Sequence, residues 1–378
     1  MDSYDAVVVG ARCAGSATAM LMARAGMRVL LLDRADPGRD TLSTHALMRA
    51  AVLQLDRWGL LPRIVAAGTP PITGTTFHYG DRAETLELAT PLYAPRRTVL
   101  DAVLFDAAQE AGVHCRVGAD VVDLLRDDTG RVYGVAARFR RSGTTSIPAP
   151  LVVGADGLRS TVARLVDAPA VYRGGAASAI VYGYWPHPDA THYDWFYRPG
   201  VSAGIIPTNG GDACVWAGLP AGRFADERRL GLDELFARVL GEAAPEAAAL
   251  FPEGSRRGPL RGFPGVPGVL RLATGPGWAL VGDAGYVKDP LTAHGISDAL
   301  RDAELLARAA VDGRREALVE YGRTRDRLSL PLLAVAEAIV GYEWDLTRIR
   351  ELLLAESAAM KPEVAALREL DCPAAVAA

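Results

Sequence analysis

Residues 5–15 read Asp-Ala-Val-Val-Val-Gly-Ala-Arg-Cys-Ala-Gly, and this stretch decides the fold. A short apolar run stops at Gly10. Residues 14–25 follow, rich in the strong helix formers alanine, leucine and methionine. Gly26 ends that helix, and residues 29–32 form a continuous apolar run closed by Asp33. Such runs suit parallel strands covered on both faces. The order strand, tight turn, helix, strand is what a bound dinucleotide needs. The helix start offers unpaired N–H groups and the positive end of its dipole to a pyrophosphate. An acid about 20 residues further on accepts hydrogen bonds from ribose hydroxyls. Gly10, Arg12, Cys13, Ala14, Gly15, Asp33 and Arg34 are therefore candidate dinucleotide contacts. Arg12 stands where the G-x-G-x-x-G pattern has its middle glycine; it either gives the phosphates a charged contact or is solvated. Cys13 reads as a small packing residue, because no base is paired to it. The same stretch also fits a strand–turn–helix without a ligand.

Composition narrows the class. The 378-residue chain is 50% hydrophobic and 23% charged, with a net charge of -4, the balance of a globular protein. Its 41 basic and 45 acidic side chains give no general pull toward nucleic acid. All but two of the basic residues (Lys288 and Lys361) are arginine, a bias that carries no functional reading. Cys13, Cys115, Cys214 and Cys372 are scattered, so neither a disulfide framework nor a zinc site is expected. The six histidines show no ligand spacing. Strand-like sequence begins almost at once, leaving no room for a signal peptide. The longest apolar stretch, 330–340, is too short for a bilayer and carries Glu337. A soluble cytoplasmic protein is expected, monomer or homodimer, without nucleic-acid partners or membrane insertion.

Residues 96–111 put Leu100, Val103, Leu104 and Ala107 at helical spacing. A strand over 114–117, a hairpin-like region to 140 and an apolar strand over 151–154 follow. From 169 to 220, alternation, aromatics and turn signals at Arg198-Pro199-Gly200 and Asn209-Gly210-Gly211 predict an antiparallel sheet. Then come a helix over 232–240, a Pro/Gly-rich return linker over 254–268, and a parallel-type strand over 279–282. Helices reach about residue 370, and the alanine-rich tail is expected to fray.

Two more glycine–acid motifs each follow an apolar strand: Gly154-Ala155-Asp156-Gly157-Leu158-Arg159-Ser160 and Gly282-Asp283-Ala284. With the N-terminal fingerprint, the trio resembles the FAD-dependent class A monooxygenases of the p-hydroxybenzoate hydroxylase type. That family is related to geranylgeranyl reductases and flavin-dependent halogenases. GADGLRSTVAR (154–164) and GDAGYVKDPLTAHG (282–295) carry the resemblance. It implies an α/β fold: a Rossmann-like FAD-binding domain with a parallel sheet, an inserted, mainly antiparallel β-sheet substrate domain, and C-terminal helices. The FAD domain would comprise 1–72, 91–168 and 266–330. The substrate domain would take a hairpin at 73–90 and residues 169–265, and 331–378 would be the helical segment.

The resemblance also implies site residues. Arg97, or Arg96 in its place, would contact the FAD backbone. Asp156 and Gly157 would shape the turn over the cofactor, Asp156 serving NAD(P)H as well. Asp283, after Gly282, would accept from the ribityl chain. Pro290, Gly295 and Ile296 belong to a helix start that would stabilise negative charge on the flavin N1 and O2. The family's G-Q-G-x-N becomes Ala293-His294-Gly295-Ile296-Ser297, so His294 replaces a glutamine and Ser297 an asparagine. A solvated first-turn arginine and a cap aspartate remain the plain readings of Arg97 and Asp156.

In function, the resemblance implies that NADPH or NADH reduces FAD and that O2 adds to give a flavin C4a-hydroperoxide. That species would hydroxylate or epoxidise a small aromatic or polyketide-like substrate, which the protein positions while excluding water. His294 and His45 are candidate catalytic groups, since histidine titrates near neutrality; His45 reads equally as a cap or surface residue. Tyr184, Trp195 and Tyr197 share strand faces with Tyr182 and Tyr193 by period two and are candidates for an aromatic substrate wall. Sheet core or a dimer face is the competing reading. Tyr342 and Trp344 could cap such a pocket. Two rivals stay open, an FAD-dependent reductase of geranylgeranyl-reductase type and a non-catalytic FAD-binding sensor. Halogenation is disfavoured: neither W-x-W-x-I-P nor the essential lysine has a match, Lys288 lying inside the GD segment.

Overall fold

The computed structural model describes residues 3–36, 38–139 and 143–371. Cys372 and the alanine-rich tail lie outside the described residues. Separated stretches of chain meet in a six-stranded sheet ordered Thr274–Gly275, Trp278–Leu280, Leu151–Gly154, Ala6–Val9, Val29–Asp33, His114–Val117. Apart from the antiparallel edge pair, neighbours run parallel, with Val8 opposite both Leu31 and Val153. The uninterrupted apolar runs have this cause: both faces are covered. On one face, helix Cys13–Arg24 packs against Arg97–Glu110 and Gly295–Asp312. Ala6, Val8 and Leu31 point that way, into a core with Met20, Leu100 and Leu300. By alternation Val7, Leu30 and Leu32 face the other way. They meet Val121, Val135 and Ile147 of a three-stranded sheet, Ala119–Arg126, Val132–Phe139 and Gly143–Pro148. The hairpin-like region of the sequence thus has a third strand.

The second layer is a seven-stranded sheet ordered Arg261–Phe263, Ser178–Pro186, Asp212–Pro220, Val201–Pro207, His192–Arg198, Ile72–Tyr79, Arg82–Leu92. It is antiparallel except where His192–Arg198 runs parallel to Ile72–Tyr79. The Pro/Gly-rich linker contributes its edge strand, pairing Arg261–Phe263 with Ile180, Val181 and Tyr182. Three residues at an edge need no apolar alternation to pair, so composition gave no sign of this strand. Ala179, Val181, Trp185 and Val215 pack under helix Leu232–Ala243. The opposite face, with Tyr182, Tyr184, Tyr193, Trp195, Tyr197 and Trp216, joins the large core shared with the first layer. Helices Arg315–Val340 and Leu346–Glu369 complete the molecule, with Tyr342 and Trp344 between them. Among the described residues, no helix is long and apolar enough to cross a membrane.

Candidate active site

Strand Ala6–Val9 ends at Gly10, where φ is +104° and a Cβ would lie 2.4 Å from the Ala155 carbonyl oxygen. At Gly15 a Cβ would stand 1.7 Å from the Gly10 oxygen. Only glycine permits this turn and this approach of helix to strand. They set the start of helix Cys13–Arg24 at the strand's C-terminal end. Arg12 makes no side-chain cap there, and no acid sits in the first turn, so the orphan N–H groups remain available. Asp33 closes the turn: Oδ2 accepts from the Ala11 N–H at 2.7 Å and Oδ1 from the Ala35 N–H at 2.8 Å. Each oxygen keeps a lone pair for a ribose hydroxyl. Arg12, Asp33, Asp36, Arg39 and Asp101 line an open cleft at this point, and Arg34 is exposed beside Asp33. The Arg12 Nη1 lies 3.9 Å from Asp101 without a hydrogen-bond partner.

Arg97 opens its helix as expected but is buried and internally satisfied. Its Nη2 donates to Asp101 Oδ1 and Oδ2 at 2.9 and 3.0 Å, and lies 3.7 Å from Cys13 Sγ. The i,i+4 spacing of Arg97 and Asp101 is the sequence signal for this pair. Burial pushes the Cys13 thiol up to about 11, against the pull of Arg97, so Cys13 packs rather than reacts. Ser160 caps helix Thr161–Leu165, its hydroxyl oxygen accepting from the Ala163 N–H at 2.9 Å, and Asp156 braces that start by accepting from the Ser160 hydroxyl at 2.5 Å and the Thr161 N–H at 2.6 Å. Beside it Gly157, at φ +79°, would meet nothing within 4 Å with an added Cβ.

Gly282 seats the third motif on the first helix: a Cβ there would come within 3.0 Å of the Ala14 Cβ. Asp283 is solvent-accessible, yet the surrounding protein pushes its carboxyl up to about 6, burial outweighing the opposing charge of Arg97. No hydrogen bond within the described protein holds it. Pro290 begins a short 3-10 turn capped by Asp289. The Asp289 carboxylate accepts from the Leu291 N–H at 3.0 Å, the Ser178 N–H at 2.7 Å and the Ser178 hydroxyl. It thereby clips the aromatic sheet to the turn. Gly295, first residue of helix Gly295–Asp312, is exposed between buried His294 and buried Ile296, and its missing Cβ faces open space. The positive end of this helix therefore opens outward.

The His294 ring is 1% exposed and gives Nε2 to Glu363 Oε2 at 2.6 Å. His294, Asp298 and Glu363 stand close enough to share a metal ion. Lys288 and Arg301 already pair with those carboxylates, and two resident cations repel a third. Sequence reasoning missed this cluster, because Glu363 arrives from a distant helix with no spacing signal.

His45 and Tyr184, separate candidates in the sequence, form one unit. His45 is 2% exposed, with φ at +50°. Its Nδ1 lies 3.2 Å from the Ala94 carbonyl and its Nε2 3.1 Å from the Tyr184 hydroxyl. A carbonyl only accepts, so Nδ1 carries the hydrogen and Nε2 accepts from Tyr184. Burial, helped by the Arg96 charge, pushes the ring down to about 3. Arg96 lies 3.5 Å over the Tyr184 ring and is held by Asp40 at 3.1 Å. The other two wall candidates pack within the sheet. Trp195 donates its indole N–H to Thr75 at 2.9 Å, and Tyr197 stacks on Tyr79 and meets Trp344 edge-on.

The family model for the FAD binding domain matches residues 3–328. The chain is 30% identical over 344 residues to the menaquinone reductase of Mycolicibacterium smegmatis, covering 82% of this chain and 76% of that one. Flavin-dependent brominase Bmp2 superposes with a TM-score of 0.80 at 19% identity, over 99% of this chain and 95% of its own. PqsL of P. aeruginosa, solved with 2-aminobenzoylacetate, gives 0.78 at 20% identity, over 93% and 100%. At such identities the two structures speak for the fold.

Proposed function

Because the chain belongs to the FAD binding domain family, we propose that it is an FAD-dependent oxidoreductase working as an NAD(P)H-driven monooxygenase on a small, planar aromatic or polyketide-like substrate. The residues fit FAD: Asp283 is exposed without a hydrogen-bond partner among the described residues, the helix start at Gly295 opens on free space, and Arg12 Nη1, 3.9 Å from Asp101, makes no hydrogen bond. When bound, FAD supplies the redox chemistry, taking electrons from the nicotinamide and passing them to oxygen. The first turn of helix Cys13–Arg24 and Arg12 would hold the pyrophosphate, Asp33 the ribose and Asp283 the ribityl hydroxyls. The start of helix Gly295–Asp312 would set its partial positive charge against the ring.

The observation that carries the substrate reading is the Tyr184–His45 pair, set in a sheet face whose Trp195 and Tyr197 are packed among their neighbours and line no open wall. An aromatic surround favours a flat ring over a long aliphatic chain. A ring that stays neutral down to about pH 3 is a poor proton acceptor at neutrality. His45 therefore orients Tyr184: the phenol gives its hydrogen to Nε2 and leaves oxygen lone pairs for a substrate hydroxyl. Asp289, bonded to Ser178, would keep this face in register with the helix start. A second reading, reduction of a quinone or prenyl group, is favoured by the 30% identity to menaquinone reductase. Screening planar phenols, polyketide-like aromatics and quinones for stimulated NAD(P)H oxidation under labelled oxygen separates the two. Label in the product supports the monooxygenase; turnover indifferent to oxygen moves the reading to the reductase.

A further inference from the structure

Ser178, Ile180, Tyr182 and Tyr184 step along one face of strand Ser178–Pro186, each about 7 Å from the next. The first is gripped by Asp289, from the turn that leads into the open start of helix Gly295–Asp312. The last is gripped by His45. A molecule held at the Tyr184 hydroxyl and reaching toward that helix start must therefore run along this stretch of the sheet.

The stretch is roofed partway. Ile180 stands opposite Gly218, and Gly218 opposite Ser202. Over this row lies Tyr342, from the turn between helices Arg315–Val340 and Leu346–Glu369. Its hydroxyl shares a hydrogen bond of 2.8 Å with Ser202 Oγ. A Cβ on Gly218 would stand 3.0 Å from that hydroxyl and 2.7 Å from Ser202 Oγ. The same face carries Trp216 and Cys214 on one strand and Ile206 on the other, so the small residues at 218 and 202 make a seat for the phenol. Burial raises the Tyr342 phenol above its ordinary range, and the Asp289 charge reaches it as a smaller cause. The roof thus adjoins the Asp289 turn. Trp344 backs it: the two rings are 5.6 Å apart, and the Trp344 indole N–H is fixed on the Ile339 carbonyl at 2.7 Å.

The backbone at Tyr342 supports a role for its ring. Its φ is +55°, which a bulky residue seldom takes. Gly341, immediately before it, keeps an ordinary helical φ of -66°. A turn that only reversed the chain would put glycine at the left-handed position. Here the strained residue is the one whose ring covers the sheet, and such strain gathers at ligand clamps.

We propose that Tyr342 is the specificity residue that limits substrate length, its ring ending the space that runs along the sheet from Tyr184. The inference rests on the substrate reading above and sharpens it. Ile180, in the roofed row, lies about 13 Å of strand from Tyr184. A fused aromatic of that reach is admitted. A prenyl or alkyl tail continuing along the sheet meets the Tyr342 ring and must displace it from its seat.

Binding of 4-alkylphenols with tails from methyl to heptyl to the FAD-loaded protein, read from the perturbation of flavin absorbance, tests this. In the wild type the Kd should fall with tail length and rise again once the tail reaches Tyr342. Tyr342→Gly removes the ring at a φ that glycine accepts. There the longest phenol should bind about tenfold more tightly than in the wild type, the worth of roughly two buried methylenes, with the shortest unchanged. Tyr342→Phe keeps the ring and should keep the wild-type profile. A packing role alone would shift all tails together. A Tyr342→Gly protein with the wild-type preference between short and long tails overturns the proposal, as does a wild type whose affinity keeps rising to the longest tail. Should Tyr342→Gly fail to fold, Tyr342→Asn, which also tolerates positive φ, carries the same two outcomes. Phenols that leave the wild-type flavin spectrum unperturbed overturn the substrate reading as well. Phenols that bind without regard to Tyr342 overturn the length limit alone.

Discussion

Replacing Asp283 by asparagine should push cofactor affinity and apoprotein stability in opposite directions. The carboxylate has no hydrogen-bond partner in the described protein, and although it stays solvent-accessible the protein crowded around it lifts it from 3.8 to about 6. A hydrogen bond to a charged acceptor is worth about 1.5–3 kcal/mol. The asparagine side chain keeps one neutral acceptor, so at least one such bond is lost and the Kd for FAD rises about 10- to 150-fold. Without FAD the sign reverses. Because the folded value is raised, the carboxylate ionises more readily in the unfolded chain. The resulting destabilisation is absent below pH 3.8, grows as pH rises, and is complete above about 6. At neutral pH the apo Asp283→Asn protein should therefore melt higher than the wild type, by a modest amount because the group is solvent-accessible. At strongly acid pH the two should coincide. Flavin fluorescence quenching gives the Kd and scanning calorimetry of apoprotein gives the Tm. Unchanged FAD affinity, or a lower apo Tm at neutral pH, would refute the reasoning.

Other substitutions test other parts of the site. Gly10→Ala sets a Cβ 2.4 Å from the Ala155 oxygen at φ +104°; a loss of at least about 1–3 kcal/mol is expected in urea unfolding, together with loss of FAD. Asp101→Asn strips the counter-charge from buried Arg97, which should cost about 3–5 kcal/mol by the same measurement. Tyr184→Phe should reduce kcat/KM for a hydroxylated aromatic about 2- to 10-fold with flavin content unchanged, one neutral hydrogen bond being lost. His45 is depressed from 6.5 to about 3, so as pH falls below 6.5 the unfolded chain takes a proton that the buried ring refuses, and stability drops. His45→Gln should flatten that acid limb by one proton in the pH dependence of unfolding free energy.

The nucleotide layer was legible because its signals are local. Gly10, Gly15 and Asp33 lie within one strand–turn–helix–strand unit, and each glycine is enforced by a backbone approach of 2.4 Å or less. The sheet face shared by Tyr182, Tyr184, Tyr193 and Trp195 followed from period two. What the sequence withheld was side-chain destination. The run Ala293-His294-Gly295 placed His294 at a helix start but said nothing of Glu363, 69 residues away. Asp156, read plainly as a turn or cap aspartate, braces the Ser160 cap through its bonds to the Ser160 hydroxyl and the Thr161 N–H. Arg97 turned inward because Asp101 lies one helical turn on, a pair readable from spacing alone. The edge strand Arg261–Phe263 was hidden because main-chain pairing at an edge makes little demand on side chains.

The central claim is most directly tested by mixing the FAD-loaded protein with NADPH or NADH without oxygen and following flavin absorbance. The account predicts that one of the two bleaches the flavin band and that admitting air restores it. A protein that takes up no FAD, or whose FAD neither nicotinamide reduces, would contradict it, the second outcome pointing to a non-catalytic sensor.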